Sequence, residues 1–452
     1  MTSARDIAYE VLLRIQTQRS YADALLDALL KGQKLPATER RFAKALVFGT
    51  LRNRTLLEHY LMQAGPFQPE RTDVRTASAL RLGAYQVIFM DRVPDSAAVN
   101  ESVRIVKDRC KRRKDAGFVN ALLRRLVRSK SSLKRPQVAF GADEAKFVES
   151  AAVAFSFPEY LVQKWRHKFA RKELVALLSK FNEPPVKAVR VNIAKITVSE
   201  LSERLAKRGF DAQHSPVCPS ALRLSGPGPL EETPEWREGL FTVQDEGPQV
   251  LSLLVGTLGP RSIVDVCAGV GQKLTLLAER FPTSVVVGND IHLRKIQQSR
   301  EQAKRLGLKN VRLVAGDLLS PSLRPKSFDL VILDAPCSGT GTIRRHPEIR
   351  WRVRTSHLRK TANMALKMLE SCTQLVNQSG TIVYSTCSLE PEENEHVIKK
   401  FLSRNADFEV CRLPELPAPL RRSVGEFGLT LLPHFYDCDG MFFSLLRRST
   451  AG

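Results

Sequence analysis

Along the first 135 residues, apolar positions recur every three or four residues. Ile7, Val11 and Ile15 form one row, Leu25, Leu26 and Leu29 a second, and Phe42, Leu46 and Val47 a third. Leu80, Leu82 and Tyr85 continue the series, as do Val99, Val103 and Val106, then Val119, Leu122 and Leu126. This is the period of helices with one buried face. Gly32, Gly65-Pro66 and Pro94 punctuate it as turns. The pattern predicts a compact all-helical bundle over residues 1–135.

The period changes further along. A linker is expected around Ser131 to Pro136, then a helical stretch from Pro158 to Phe181. A strand from Val186 to Ile193 and a helix from Ser199 to Arg208 follow, so residues 136–235 read as linker helices and a small α/β module. From 236 to 448, short apolar runs alternate with helical windows. The runs are Ser262–Cys267, Val285–Gly288, Val311–Ala315, Leu330–Leu333, Thr381–Ser385 and Phe442–Leu445. Strand and helix in alternation predict a mostly parallel sheet covered on both faces, an α/β domain of the doubly wound kind. No internal repeat or low-complexity tract interrupts the 452 residues.

Composition changes this picture in two ways. The balance of 43% apolar and 26% charged residues is that of a globular chain. No apolar run is long enough to span a bilayer, and the acids Asp6 and Glu10 argue against a secretory signal. The net charge, however, is +23. Residues 1–135 hold 27 Lys and Arg against 13 Asp and Glu, a net of +14, with the densest stretch at Lys107 to Lys114. Such an excess predicts a polyanionic partner, most simply RNA or DNA phosphates. The eight cysteines contain no C-x-x-C pair and no zinc spacing, so neither a metal site nor a disulfide scaffold is expected. Reduced thiols in the cytoplasm are the expectation, and a special cysteine would be catalytic.

In open α/β sheets, ligands bind at the carboxyl ends of the strands. Here those ends carry Cys267-Ala268-Gly269-Val270-Gly271-Gln272-Lys273, Asp290, Asp317, Asp334 and Cys387. Gly269 and Gly271 would let a ligand approach the backbone, and Asp290 follows Gly271 by 19 residues. That is close to the offset at which an acid meets ribose hydroxyls. Asp317 would then lie near the base of a nucleoside cofactor.

Two segments are more specific. Asp334-Ala335-Pro336-Cys337-Ser338-Gly339-Thr340-Gly341 runs on through T-I-R-R-H-P-E-I-R-W, and Tyr384-Ser385-Thr386-Cys387-Ser388 is followed by L-E-P-E-E-N-E. Both resemble signatures of the RNA (cytosine-5) methyltransferase family, most closely its bacterial 16S ribosomal RNA methyltransferase B group. The segments Ala98 to Lys107 and Gly117 to Arg125 are similar to a NusB-like RNA-binding domain. Arg190-Val191-Asn192 matches a triplet of the family's RNA-binding module, and Gln244-Asp245-Glu246 and Asp439-Gly440 match smaller elements. The resemblance implies S-adenosylmethionine as cofactor, small-subunit ribosomal RNA as substrate and a monomeric enzyme. It implies Cys387 as the nucleophile, Cys337 as the aid to product release, Asp334 at the cytosine edge and Lys273 as an electrostatic support. Cys267, Ala268, Gly269, Gly271, Lys273, Asp290, Asp317 and Asp334 would line the cofactor.

The glycine loop departs from the family's C-A-A-P-G-G-K, losing a proline with its fixed φ and one glycine. That departure keeps a second reading open, a non-catalytic RNA-binding or ribosome-assembly factor. A chain that had abandoned catalysis would have no chemical need for two thiols, which favours the enzyme. A DNA cytosine methyltransferase would lack the second cysteine motif. Simple structural roles are open for three pieces: a helix start for Gln244-Asp245-Glu246, a turn for Asp439-Gly440, and an RNA or packing contact for His346.

Overall fold

The computed structural model describes residues 3–18, 20–320 and 323–449. The chain divides into two compact units, Met1–Glu183 with Ile343–Arg352, and Pro184–Thr342 with Val353–Gly452.

The first unit is helical. Its first seven α-helices are Ala4–Thr17, Ala22–Leu30, Ala37–Arg52, Arg54–Ala64, Val74–Phe89, Asp95–Asp108 and Ala116–Ser129. The apolar rows read from the sequence face one core, in which Val11, Leu46, Val47, Leu57, Leu80, Leu82, Val106 and Val119 are fully buried. The first helix starts with a capping box. Ser3 Oγ accepts from Asp6 N and Asp6 accepts from Ser3 N, which satisfies two otherwise orphan donors. Asp6 also pairs with Arg104 and Arg109, tying the basic 107–114 stretch to this helix start. Three further helices, Glu144–Phe155, Glu159–Arg166 and Arg171–Asn182, complete the unit.

The expected single helix from Pro158 to Phe181 is therefore two. The chain turns at 167–170, and the Trp165 and Phe181 rings stack 5.7 Å apart across that turn. The helix Glu144–Phe155 was not expected, although Asp143 caps it by accepting from Lys146 N.

The second unit begins with an antiparallel sheet of β1 (Lys187–Val191), β2 (Asp211–His214), β3 (Ala221–Ser225) and β4 (Phe241–Val243), in the order β2-β3-β1-β4. Helix Val198–Ala206 packs on it. The larger sheet contains β5 (Ser262–Asp265), β6 (Val285–Asp290), β7 (Val311–Ala315), β8 (Phe328–Asp334) and β9 (Val376–Thr386). These five are parallel, in the order β9-β8-β5-β6-β7. β10 (Phe408–Val410), β11 (Val424–Gly425), β12 (Gly428–Leu431) and β13 (Met441–Arg448) extend the sheet antiparallel beyond β9. Each expected strand is present. β5 ends at Asp265, two residues before the expected Cys267, and β6 continues to Asp290.

Arg190 joins the small sheet to the large one within this unit. Its guanidinium is buried, donates to both oxygens of Glu279, and meets Gln244 Oε1 and Thr275 Oγ1. Asn192 Nδ2 donates to Gly239 O. The Arg190-Val191-Asn192 triplet is thus a buried structural joint and not an RNA-facing surface. Gln244-Asp245-Glu246 is similar in role. Asp245 caps Glu246–Gln249, and buried Glu246 pairs with Arg223 at 2.7 Å.

Candidate active site

The order of the parallel strands brings the chemistry together. β5 is central, and the loops after β5, β6, β8 and β9 all leave the same edge of the sheet.

The loop after β5 carries two left-handed glycines, Gly269 (φ +56°) and Gly271 (φ +88°). At Gly271 a Cβ would stand 2.9 Å from Ser299 Oγ, so both its φ and its space require glycine. Gly269 N donates to Asp290 Oδ2 at 3.0 Å, and Ser299 Oγ donates to Gly269 O. Ala268 N donates to Asn289 O, which fixes this loop against the end of β6. Gly269 thus bends the loop just before Val270 through its left-handed φ. Helix Gln272–Arg280 begins directly after it. The cradle, an acceptor carboxylate and a helix start together fit a nucleoside cofactor with a ribose diol. Asp317 is exposed just beyond β7, where Gly316 N donates to Asp290 O. The Cys267 thiol instead packs on the apolar cluster containing Val264 and Val266, and burial pushes its pKa far up.

The loops after β8 and β9 meet at their sulfurs. The register sets Asp334 opposite Ser385, and Cys337 and Cys387 follow within three residues on each side. Their Sγ atoms lie 3.4 Å apart. Ala335 N donates to Ser385 O and Gly341 N to Cys387 O, so the two loops are hydrogen-bonded along their length. Gly341 lies so close to Gly440 that a Cβ would be 2.1 Å from Gly440 O. The Asp439-Gly440 turn therefore supports the Cys337 loop as well as leading into β13.

Asp334 Oδ2 pairs with Lys273 Nζ at 2.6 Å, and its Oδ1 accepts from Ser385 Oγ at 3.0 Å. Burial alone would push the Lys273 pKa down. The charge and hydrogen bond of Asp334 outweigh it, with smaller help from Cys387 and Asp265, and hold the ammonium above its usual range. The Cys337 thiol is held well above the usual range by its hydrogen bond with Cys387, then by burial, then by the charges of Cys387, Glu393 and Asp334.

Sequence reasoning missed two acids. Asp265, at the end of β5, is wholly buried and is pushed up to about 7 by burial and then by Asp334. Glu393 is buried behind the Cys337 loop. Their signal was present as acids inside or beside the motifs, but nothing in a sequence marks an acid as buried. His346 lies in the helical unit, edge-on to the Tyr21 ring and 3.7 Å from Asp23. Among the described residues, no three His, Cys, Asp or Glu side chains form a metal-holding group, and no helix is long and apolar enough to cross a membrane.

The family model for the NusB family matches residues 2–128, one for the ferredoxin-like domain of RsmF/B-like methyltransferases matches 157–231, and one for the 16S rRNA methyltransferase RsmB/F matches 257–447. A Synechocystis protein described as a probable ribosomal RNA small subunit methyltransferase B is 32% identical, over 99% of this chain and all of that one. A Bacillus subtilis protein of the same description is 31% identical over 99% of both. The solved structure of PH0851 shares the fold, with a TM-score of 0.80 at 23% identity over 98% of both chains. With relatives matched from end to end, the chain belongs to the RsmB/F family of 16S rRNA methyltransferases.

Proposed function

We propose that this chain methylates C5 of a cytosine in small-subunit ribosomal RNA, with Cys387 as nucleophile. The observation that carries this reading is the pair of thiols 3.4 Å apart beside the Asp334–Lys273 ion pair. Cytosine C5 is a weak nucleophile until something adds to C6. In this reading the Cys387 thiolate adds to C6 and the ring electrons move toward C5. Asp334 holds the N3 and amino edge of the ring, and Lys273 keeps Asp334 in place. S-adenosylmethionine, when bound, supplies the electrophilic methyl group. Gly269, Gly271 and Asp290 would hold its nucleoside part, with Cys267 and Ala268 contributing backbone and Asp317 near the base. Afterwards a solvent water takes the C5 proton, the freed C–H pair re-forms the C5–C6 double bond and the C6–S bond breaks, with Cys387 departing on the electron pair. Cys337, in contact with the departing sulfur, assists this release.

Residues 1–135 and 136–235 would hold RNA through phosphates and shape, and 236–448 would take an accessible or flipped cytosine. The free thiols suit a reducing compartment such as the cytoplasm, and one chain carries every residue the reaction needs, as a monomeric enzyme would.

The test is methyl transfer from labelled S-adenosylmethionine to protein-free 16S rRNA and to small-subunit particles. Label on the C5 of one cytosine is the expected result. Cofactor bound but no label on either substrate would overturn the reading in favour of an assembly factor.

A further inference from the structure

The acid-rich turn after Cys387 contains a carboxylate that the reaction scheme leaves unused. Glu393 is 1% exposed. Ser338 N donates to its Oε1 at 2.8 Å and Ser338 Oγ to its Oε2 at 2.5 Å, while Thr361 Oγ1 donates to Oε1. Its own backbone is held as well, since Glu393 N donates to Glu390 O and Tyr384 Oη donates to Glu393 O. Among the described residues, no Lys or Arg pairs with this carboxylate. A buried acid held by neutral donors is costly to keep, so its place calls for a reason beyond packing.

Resting on the reading above, we infer that Glu393 is a positioning residue for product release: its carboxylate clamps the residue after Cys337 and so fixes the Cys337 sulfur against the Cys387 sulfur. Ser338 is gripped through both backbone and side chain, which leaves the preceding Cys337 little freedom. The carboxylate is bonded to Ser338, the residue next to Cys337. Its negative charge, together with that of Asp334, favours the protonated thiol at Cys337. A protonated sulfur touching the departing Cys387 is suited to assist it, whereas a second thiolate would repel it. Glu393 does not contact the cytosine ring in this account. It acts through Cys337 and belongs to release, not to attack.

The experiment compares wild type, Glu393→Gln and Thr361→Val in the full chain, with labelled S-adenosylmethionine and 16S rRNA. Single-turnover methyl transfer is read separately from steady-state turnover, and denaturing gels report covalent protein–RNA adduct. Glu393→Gln keeps the shape and removes the charge. It should leave the single-turnover rate and kcat/KM within about twofold, lower kcat and KM together on the order of 10- to 100-fold, and accumulate adduct. Thr361→Val removes one donor from outside the loop and should give the same pattern more weakly. It carries the test if Glu393→Gln does not fold. Loss of single-turnover transfer in parallel with kcat, or wild-type kcat with no adduct in the folded variants, would overturn the inference. A wild type that transfers no methyl would overturn the functional reading and this inference with it.

Discussion

Buried at the end of β5, Asp265 faces the charges of Asp334 and Asp290, and its pKa rises from 3.8 to about 7. The unfolded chain loses this proton near pH 4, and the folded chain keeps it to about pH 7. Folding stability therefore falls as pH rises across that window and stays level above it. Asp265→Asn keeps an acceptor for Cys267 N and removes the ionisation. It should raise stability at pH 8, by up to about 4 kcal/mol, and leave it unchanged near pH 4. Denaturant unfolding at the two pH values checks this. Equal effects at both would contradict the assigned burial. Lys273 makes the complementary case. Lys273→Met leaves Asp334 with Ser385 as its remaining hydrogen-bond partner among the described residues, and methyl transfer should fall by roughly 100- to 1,000-fold. Single-turnover transfer at saturating RNA reads this directly. That Cys337, Cys387 and Asp334 share one cleft was legible because each stands at or just past a strand end inside a motif, and Lys273 joins them from the start of the helix after the glycine loop. Asp265 and Glu393 were not, because burial of an acid depends on neighbours far apart in sequence.

Among the elements, the segment Ile343–Arg352 departs furthest from its appearance in the sequence. It reads as the continuation of the Cys337 motif, yet it packs as part of the helical unit. Pro347–Trp351 is a 3-10 helix in which Glu348 and Arg350 are fully buried. Arg350 donates to Asn182 Oδ1 and Ser156 O, and its guanidinium lies 3.9 Å from the Phe157 ring centre. Among the described residues its Nε and Nη2 have no hydrogen-bond partner, and burial pushes its pKa well down. Arg350→Ala should destabilise the protein by about 2–3 kcal/mol, because it loses charge-assisted bonds and the contact with Phe157. Arg350→Met should cost less, since it also removes the penalty of burying a charge. Thermal melts of both variants decide the order. The long periodic helices and the apolar parallel strands were readable because one period runs through each of them. The two-residue β11, the three-residue β10 and the split of the 158–181 helix were not, because pieces that short are set by packing and not by local pattern.

Across the whole molecule, the charge of +23 is the property that RNA would feel first. In the helical unit, Lys107, Lys111, Arg113 and Lys114 are exposed and join none of the ion pairs found among the described residues. Arg109 and Arg112 in the same stretch are tied to Asp6, Asp73 and Asp115. Replacing the four exposed cations by alanine should weaken RNA binding at every sequence tested. It should also lower the slope of log affinity against log salt by about 3. An unchanged slope would place the RNA elsewhere. The basic bias and the overall fold class were legible because they are summed over many residues. The placement of Ile343–Arg352 in the helical unit was not, because it is a fact of tertiary structure alone. In the proposed reaction the two thiols divide the labour, Cys387 attacking and Cys337 aiding release. The most direct test of this division is a denaturing gel of Cys337→Ala and Cys387→Ala after incubation with 16S rRNA and S-adenosylmethionine. A slow covalent protein–RNA band is expected from Cys337→Ala and none from Cys387→Ala, with no methyl transfer by the latter. Full turnover by Cys387→Ala would contradict it.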